Sequence, residues 1–269
     1  MSCGKCTACK NENEIICERV PIGDKFGILK RYHALPAKFV TKLPNNVNPI
    51  DGAMLDELSS AIHACQKSTV TAGDNVLVLG GKSLGLWTAL AAKSMGATTV
   101  CIADSNLSIL DQAKKLGIDH VFLVNPNSAV AETSKKIAEY LEGENPRVVF
   151  DCNGSSLTNQ IAINTSTVGG KVVLMKNSIT NQPVVLSDAV ERGVDILSSQ
   201  YGNKDSERAA LQFLASGKVQ LNSIESAFFN ILNVHEAFAL LNSGTISNIF
   251  IQPSQLEDNV STKTKSKTL

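Results

Sequence analysis

Asn75-Val-Leu-Val-Leu-Gly-Gly-Lys-Ser-Leu-Gly-Leu-Trp-Thr-Ala-Leu-Ala-Ala-Lys-Ser-Met95, continued by Gly-Ala-Thr-Thr-Val-Cys-Ile-Ala-Asp104, is the stretch that decides the fold. Residues 75–79 form an apolar, β-branched run that reads as a strand. A glycine turn follows, then a helix over about 83–95 that stops at Gly96, then a second strand over 98–103. The pattern repeats downstream. It predicts a helix over 107–116 ending at Gly117, a strand over 120–124, a helix over 129–141, and strands at 147–151 and 171–175 with a helix from about Leu157 between them. Short strands separated by helical stretches are the signature of crossover units. These strands are apolar throughout rather than alternating, as they are when helices cover both faces of a parallel sheet. The expected fold is α/β, a doubly wound parallel (Rossmann) sheet.

Gly80-Gly-Lys-Ser-Leu-Gly85 sits between the first strand and its helix, where a dinucleotide-binding turn belongs. Gly80 suits the tight turn, and Gly85 permits close packing of helix on strand. The middle glycine of the G-x-G-x-x-G pattern is Lys82 here. That position lets bare backbone approach a pyrophosphate, so Lys82 either fills the site or offers its ammonium to the phosphates. A P-loop is excluded because its first glycine would fall on Val76. Asp104 ends the second strand, 19 residues after Gly85. An acid there can accept the ribose hydroxyls of NAD and would repel the 2′-phosphate of NADP. The competing role is a helix cap, since Asp104-Ser-Asn106 precedes a helix.

Four of the seven cysteines crowd the amino-terminal end as Cys3-x2-Cys6-x2-Cys9-x7-Cys17. Thiolates at this spacing can wrap one ion, and zinc is the favoured reading. The site would be structural because protein fills all four positions. A bacterial iron–sulfur run would need a cysteine at Asn13. A disulfide knot or unliganded thiols would use the same four residues without a metal. Cys65, Cys101 and Cys152 read as small core residues. None of His33, His63, His120 or His235 has a partner at a convincing ligand spacing, and His63 reads as packed within a helix. The chain offers no acid–base set of its own.

The 269 residues carry 25 basic and 25 acidic side chains, which leaves no basic stripe for nucleic acid. The most apolar stretch, 76–92, is broken by Gly80, Gly81, Lys82 and Gly85, against the roughly 20 largely apolar residues a membrane span needs. The opening Met-Ser-Cys-Gly-Lys-Cys has no apolar core for a signal peptide, so a cytoplasmic protein is expected. Residues 1–54, with Pro21, Pro36, Pro44 and Pro49, read as loop and β structure. Past 218 come a strand at 226–231, a helix with Asn233 as cap, Glu236 three residues on and Gly244 after its end, and a strand at 247–251. The tail 253–269 is expected to be disordered.

Taken together, these residues resemble the zinc-containing medium-chain alcohol and polyol dehydrogenases, closest to the sorbitol dehydrogenase branch. The resemblance rests on Cys3-Gly-Lys-Cys-Thr-Ala-Cys9, Lys42-Leu-Pro-Asn-Asn-Val47, Gly52-Ala-Met-Leu-Asp-Glu-Leu-Ser59, His63-Ala-Cys65, Val76-Leu-Val-Leu-Gly80, Ala92-Lys-Ser-Met-Gly-Ala97 and Gly169-Gly-Lys-Val-Val-Leu174. It implies a structural zinc on the cysteine cluster, NAD in the α/β domain, and a GroES-like domain holding a catalytic zinc. It divides the chain into a GroES-like remnant with the zinc lobe (1–54), the NAD domain (55–218) and a return segment (219–252). A homodimer joined through edge strands, and a small alcohol or polyol substrate for a chain of full family length, are also implied. The family's cysteine and His-Glu pair for catalytic zinc lie ahead of the cluster at which this sequence starts. Its later glutamate–proline falls on Asp56-Glu57. Asp151-Cys-Asn-Gly154 and Met175-Lys-Asn177 fall where the nicotinamide is bordered, with Met175 and Lys176 bulkier than the family pattern. The expectation is therefore an NAD-dependent zinc oxidoreductase of secondary alcohols or polyols seen incompletely, as a fragment or a sequence missing its first part, whose 269 residues alone would not catalyse the reaction, or else a non-catalytic zinc-stabilised module that binds a nucleotide or a partner subunit.

Overall fold

A computed structural model describes residues 3–10, 16–18, 29, 32–176, 183–219, 224, 226–243, 246 and 248–252. Asn13, Pro21, Asn177, Gly244 and the 253–269 tail lie outside the described residues. The helices are α1 (Thr7–Lys10), α2 (Pro49–Ala53), α3 (Leu55–Ser68), α4 (Ser83–Ser94), α5 (Leu107–Lys115), α6 (Val130–Tyr140), α7 (Ser156–Thr165), α8 (Ser187–Arg192), α9 (Lys204–Ala215) and α10 (Val234–Ser243). The strands are β1 (Asn75–Leu79), β2 (Thr99–Asp104), β3 (His120–Leu123), β4 (Val148–Asp151), β5 (Lys171–Leu174), β6 (Asp195–Ser198), β7 (Ser226–Asn230) and β8 (Asn248–Gln252).

Strands β1 to β6 build one parallel sheet in the order β3-β2-β1-β4-β5-β6. The order reverses between β1 and β4, and the carboxyl ends of strands at such a switch point are where open α/β sheets take ligands. The register sets Leu77 beside Cys101 on one side and Val149 on the other. Alternation then divides β1 between two faces. Leu77 and Leu79 join Ile137 of α6 and Ile161 of α7 in one apolar cluster. Val76 and Val78 are buried on the opposite face, under α4. Helix α3 packs on both α4 and α9, which adds a further layer outside that face. Leu77 is wholly inaccessible, and each such side chain contributes about 1.5–3 kcal/mol.

The chain divides into two compact units. Ser2–Val20 and Lys42–Ile224 form the unit that contains the six-stranded sheet and the four-cysteine segment. Pro21–Thr41 and Glu225–Leu269 form the other, in which β7, α10 and β8 make a parallel strand–helix–strand with Phe228 stacked on Phe250 at 5.1 Å. The cysteine segment thus groups with the sheet, whereas the division expected from sequence sets 1–54 apart from it.

Several local expectations change. Among the described residues of 1–54 there is no strand, only α1, α2 and a 3-10 turn at Ala37–Phe39. Prolines remove ladder donors, and Pro49 instead starts α2 behind its Asn48 cap. The cap before α10 comes earlier than Asn233. The Asn230 side chain accepts from Leu232 N–H, and Asn233 lies inside a 3-10 turn. Strand β6 and helices α8 and α9 complete the sheet beyond the elements read from the sequence.

The loop before β1 is pinned by charge. Asp74 is buried and is bridged by Arg147, whose Nη2 lies 2.7 Å from Asp74 Oδ2 and 2.7 Å from the Thr69 carbonyl oxygen. Burial opposes ionisation of Asp74. The Arg147 hydrogen bond, the Thr71 N–H and the positive charges of Arg147 and Lys171 outweigh it and hold the carboxyl below its ordinary range. A carboxyl depressed in the folded state stabilises above its unfolded value, near 3.9, and that stability is lost as pH falls through the folded value. Asp74→Asn should therefore lower the melting temperature at pH 7. The difference from the parent should shrink as the pH is taken below about 4 in thermal melts.

Candidate functional site

The turn between β1 and α4 lies at the switch point. Gly80 has φ +90°, a conformation that favours glycine, and its N–H donates to the Ala103 carbonyl at 2.9 Å. A Cβ on Gly85 would lie 1.8 Å from the Gly80 carbonyl oxygen, so this helix can sit against this turn only with glycine there. Both glycines serve as their positions in the pattern suggest. Gly81 has no assigned part in the pattern, yet its N–H donates to Asp104 Oδ2 at 2.7 Å.

That bond defines the place of Asp104. Its other oxygen, Oδ1, accepts from Asn106 N–H at 2.8 Å. The cap of α5 is Asn106, whose side chain accepts from Ser108 N–H at 2.9 Å, so Asp104 is not the capping residue. Each carboxylate oxygen can accept two hydrogen bonds. With one N–H on each, the half-exposed Asp104 keeps an acceptor position on both oxygens, which suits a pair of vicinal hydroxyls.

Lys82 is exposed and has φ −64° and ψ −177°, extended backbone that any residue adopts. The lysine therefore does not distort the turn; it adds a side chain over it. The first turn of α4 carries a second feature. Glu57 of α3 accepts a hydrogen bond from the Ser83 hydroxyl across the α3–α4 contact. Burial pushes the Glu57 carboxyl up, the Ser83 hydrogen bond opposes this, and the charge of Asp56 adds to it. The sequence marks Ser83 in the glycine turn and Glu57 beside Asp56 separately, but not their meeting, because the two are 26 positions apart. Asp56 itself is exposed on the first turn of α3.

The strand ends nearby are quieter than expected. Met175 is 2% exposed, and its sulfur lies 3.5 Å from the Thr88 hydroxyl and 3.6 Å from the Cys152 thiol. Its bulk fills the core instead of standing at the strand end, while Lys176 is exposed. Asp151 is fully buried and accepts from the N–H groups of Asn153 and Gly154 and from the Thr158 hydroxyl, a structural role. Burial pushes Cys101 and Cys152 up to about 12 and Cys65 higher still, in keeping with inert core thiols. His63 is half-buried on α3. Burial and the charge of Lys67 hold it below its ordinary value.

Cys3, Cys6, Cys9 and Cys17 come together with all four sulfurs within 4.8 Å of one another. Cys3 Sγ and Cys9 Sγ are 3.9 Å apart, as are Cys6 Sγ and Cys17 Sγ. Zinc–sulfur bonds of about 2.3 Å place tetrahedral sulfurs about 3.8 Å apart, so the cluster has the size of one zinc ion. A disulfide needs about 2.05 Å, and all seven cysteines are free. Backbone N–H groups of Lys5 and Cys6 point at Cys3 Sγ and lower that thiol to about 6, whereas burial pushes Cys9 up to about 11. A bound cation is what would bring such unlike thiols to the same ionised state. Among the described residues this is the one group of three or more His, Cys, Asp or Glu side chains able to close on an ion. No helix among them is long and apolar enough to cross a membrane.

Comparisons with known proteins identify the family and the fold. The profile of the zinc-binding dehydrogenases matches residues 83–216. The sorbitol dehydrogenase of Bombyx mori is 30% identical over 252 residues, 93% of this chain and 72% of the relative. That of Bos taurus is 34% identical over 233 residues, 87% of this chain and 65% of the relative. The chain thus spans between about two thirds and three quarters of these relatives' lengths. An alcohol dehydrogenase of Escherichia coli CFT073, solved with NADH, superposes with a TM-score of 0.83 at 22% identity, covering 93% of this chain and 73% of that one.

If the cysteine set is a metal centre, metal analysis of the purified protein should find about one zinc per chain. Cys9→Ser should lose it to a chelator that leaves the parent loaded. A folded parent protein with no metal would contradict the site.

Proposed function

Because the chain belongs to the zinc-binding dehydrogenase family, we propose that it binds NAD at the switch point and a structural zinc at the cysteine cluster. Gly80, Lys82, Gly85 and Asp104 would form the nucleotide site, and Cys3, Cys6, Cys9 and Cys17 the metal site. The observation that carries the nucleotide reading is Asp104, locked to the turn by Gly81 with acceptor positions still open on both oxygens. NAD, when bound, supplies hydride acceptance at its nicotinamide ring. The chain's own part is to hold the adenosine ribose on Asp104 and to bring the pyrophosphate against the start of α4.

The 269 residues are proposed not to carry out alcohol oxidation by themselves. The metal chemistry of the family polarises an alcohol oxygen, which needs an ion with an open position. Among the described residues only the four-cysteine group gathers on one point, and such a set is filled by protein. Asp56 stands exposed and apart from that group. No step through a catalytic metal is therefore assigned to the chain. In a chain that also carried catalytic-zinc ligands, a polyol or secondary alcohol would be the substrate class, by analogy with the sorbitol dehydrogenases. The second reading, a non-catalytic zinc-stabilised nucleotide-binding or partner-subunit protein, is favoured by the side chains added at the ligand end, Lys82 over the turn and Glu57 against Ser83.

A homodimer and a cytoplasmic setting belong to the same proposal. Strand β6 ends the sheet, with Asp195, Ile196 and Ser198 exposed, and an unpaired edge of this kind is suited to meeting a second copy. Residues 21–41 and 219–252 would be the parts that belong with a GroES-like domain.

Two binding measurements test the nucleotide assignment. NADH should bind more tightly than NADPH, because Asp104 repels a 2′-phosphate; the reverse order would contradict that role. Lys82→Gly should strengthen NADH binding by about tenfold (about 1.4 kcal/mol) if the side chain obstructs the pyrophosphate. Weaker binding would make the lysine a phosphate ligand instead.

A further inference from the structure

Helix α4 is 12 residues long and begins at Ser83, at the switch point of the sheet. The first N–H groups of a helix have no partner within it, and its dipole places positive potential at that end. Together these make a site for a phosphate group. In this chain a carboxyl group already lies beside that end. Glu57 reaches across from α3 and accepts the Ser83 hydroxyl at the first residue of α4. The neighbouring Asp56 adds negative charge on the same turn of α3.

We propose that Glu57 is an affinity-determining residue of the nucleotide site: its carboxylate, anchored by Ser83, opposes the pyrophosphate of a dinucleotide while leaving the adenosine half free to bind. The inference rests on the nucleotide reading above and concerns which part of the ligand this chain disfavours. Two features support it. Asp104, which would hold the ribose, sits at the end of β2 and is bound to Gly81 and Asn106, so nothing at Glu57 engages its open positions. The Ser83 hydroxyl, by contrast, holds the Glu57 carboxyl of α3 against the start of α4, near where the ligand's own negative charges would come. Like charges at close range in a partly buried setting are unfavourable. The chain would thus bind a nucleoside with its neutral adenosine end and discriminate against the charged bridge of NADH.

Trp87, the only tryptophan, lies in α4 one turn after Ser83 and reports on this site by energy transfer to bound NADH. NADH is titrated into the parent, Glu57→Gln and Glu57→Ala, with adenosine titrated into each by calorimetry. Thermal melts establish that each variant is folded, and the alanine variant stands in should the glutamine variant fail to fold. The expected result is NADH binding about tenfold tighter in both variants, with adenosine affinity unchanged. Adenosine binding accompanied by unchanged or weaker NADH binding in the variants would overturn the role of Glu57 and leave the nucleotide site standing. Failure of adenosine and NADH to bind any of the three proteins would overturn the nucleotide reading, and this inference with it.

Discussion

The 2.7 Å hydrogen bond from Gly81 N–H to Asp104 Oδ2 ties the turn after β1 to the end of β2, and the candidate site depends on it. Gly85 presses α4 onto that turn with no space for a Cβ, so the turn, the helix start and the acid at the neighbouring strand end form one rigid piece. The parallel sheet beneath supplies the platform, since β1 is hydrogen-bonded to β2 and β4 and buried on both faces. A ligand meeting this edge finds preset positions: acceptors on Asp104, a helix end at Ser83, and the added side chains of Lys82 and Glu57. The first two belong to a general plan for binding nucleotides. The last two modify it.

Much of this was legible in the residues. The apolar runs of β1, β2 and β4 are continuous because both faces of the sheet are covered there, and continuous runs are easy to see. Strand β6 was not, because Asp195-Ile-Leu-Ser198 is a half-exposed edge strand with two apolar residues in four. Helix α9 is capped reciprocally by Asn203 and Ser206, and serine at that third position lacks the Glu or Gln that usually flags a capping box. Asp104 was readable by position, and its bond to Gly81 was not, since a backbone donor leaves no mark on composition. Glu57 and Ser83 escaped for a stronger reason: their meeting is a product of helix packing between α3 and α4.

The cysteine cluster shows the opposite balance. Its spacing alone implies an ion-sized enclosure, and folding brings the four sulfurs to the separations that enclosure requires. What spacing does not reveal is where the segment goes. It belongs to the compact unit that contains the sheet, so a metal there would brace the unit that carries the candidate site.

The most direct test of this account is an amide NMR titration of the zinc-loaded protein with NADH. The account predicts that the largest shifts fall on Gly80, Gly81, Gly85 and Asp104, with the sheet's far edge undisturbed. Saturable shifts confined to residues away from this turn, or no shifts at all, would contradict it.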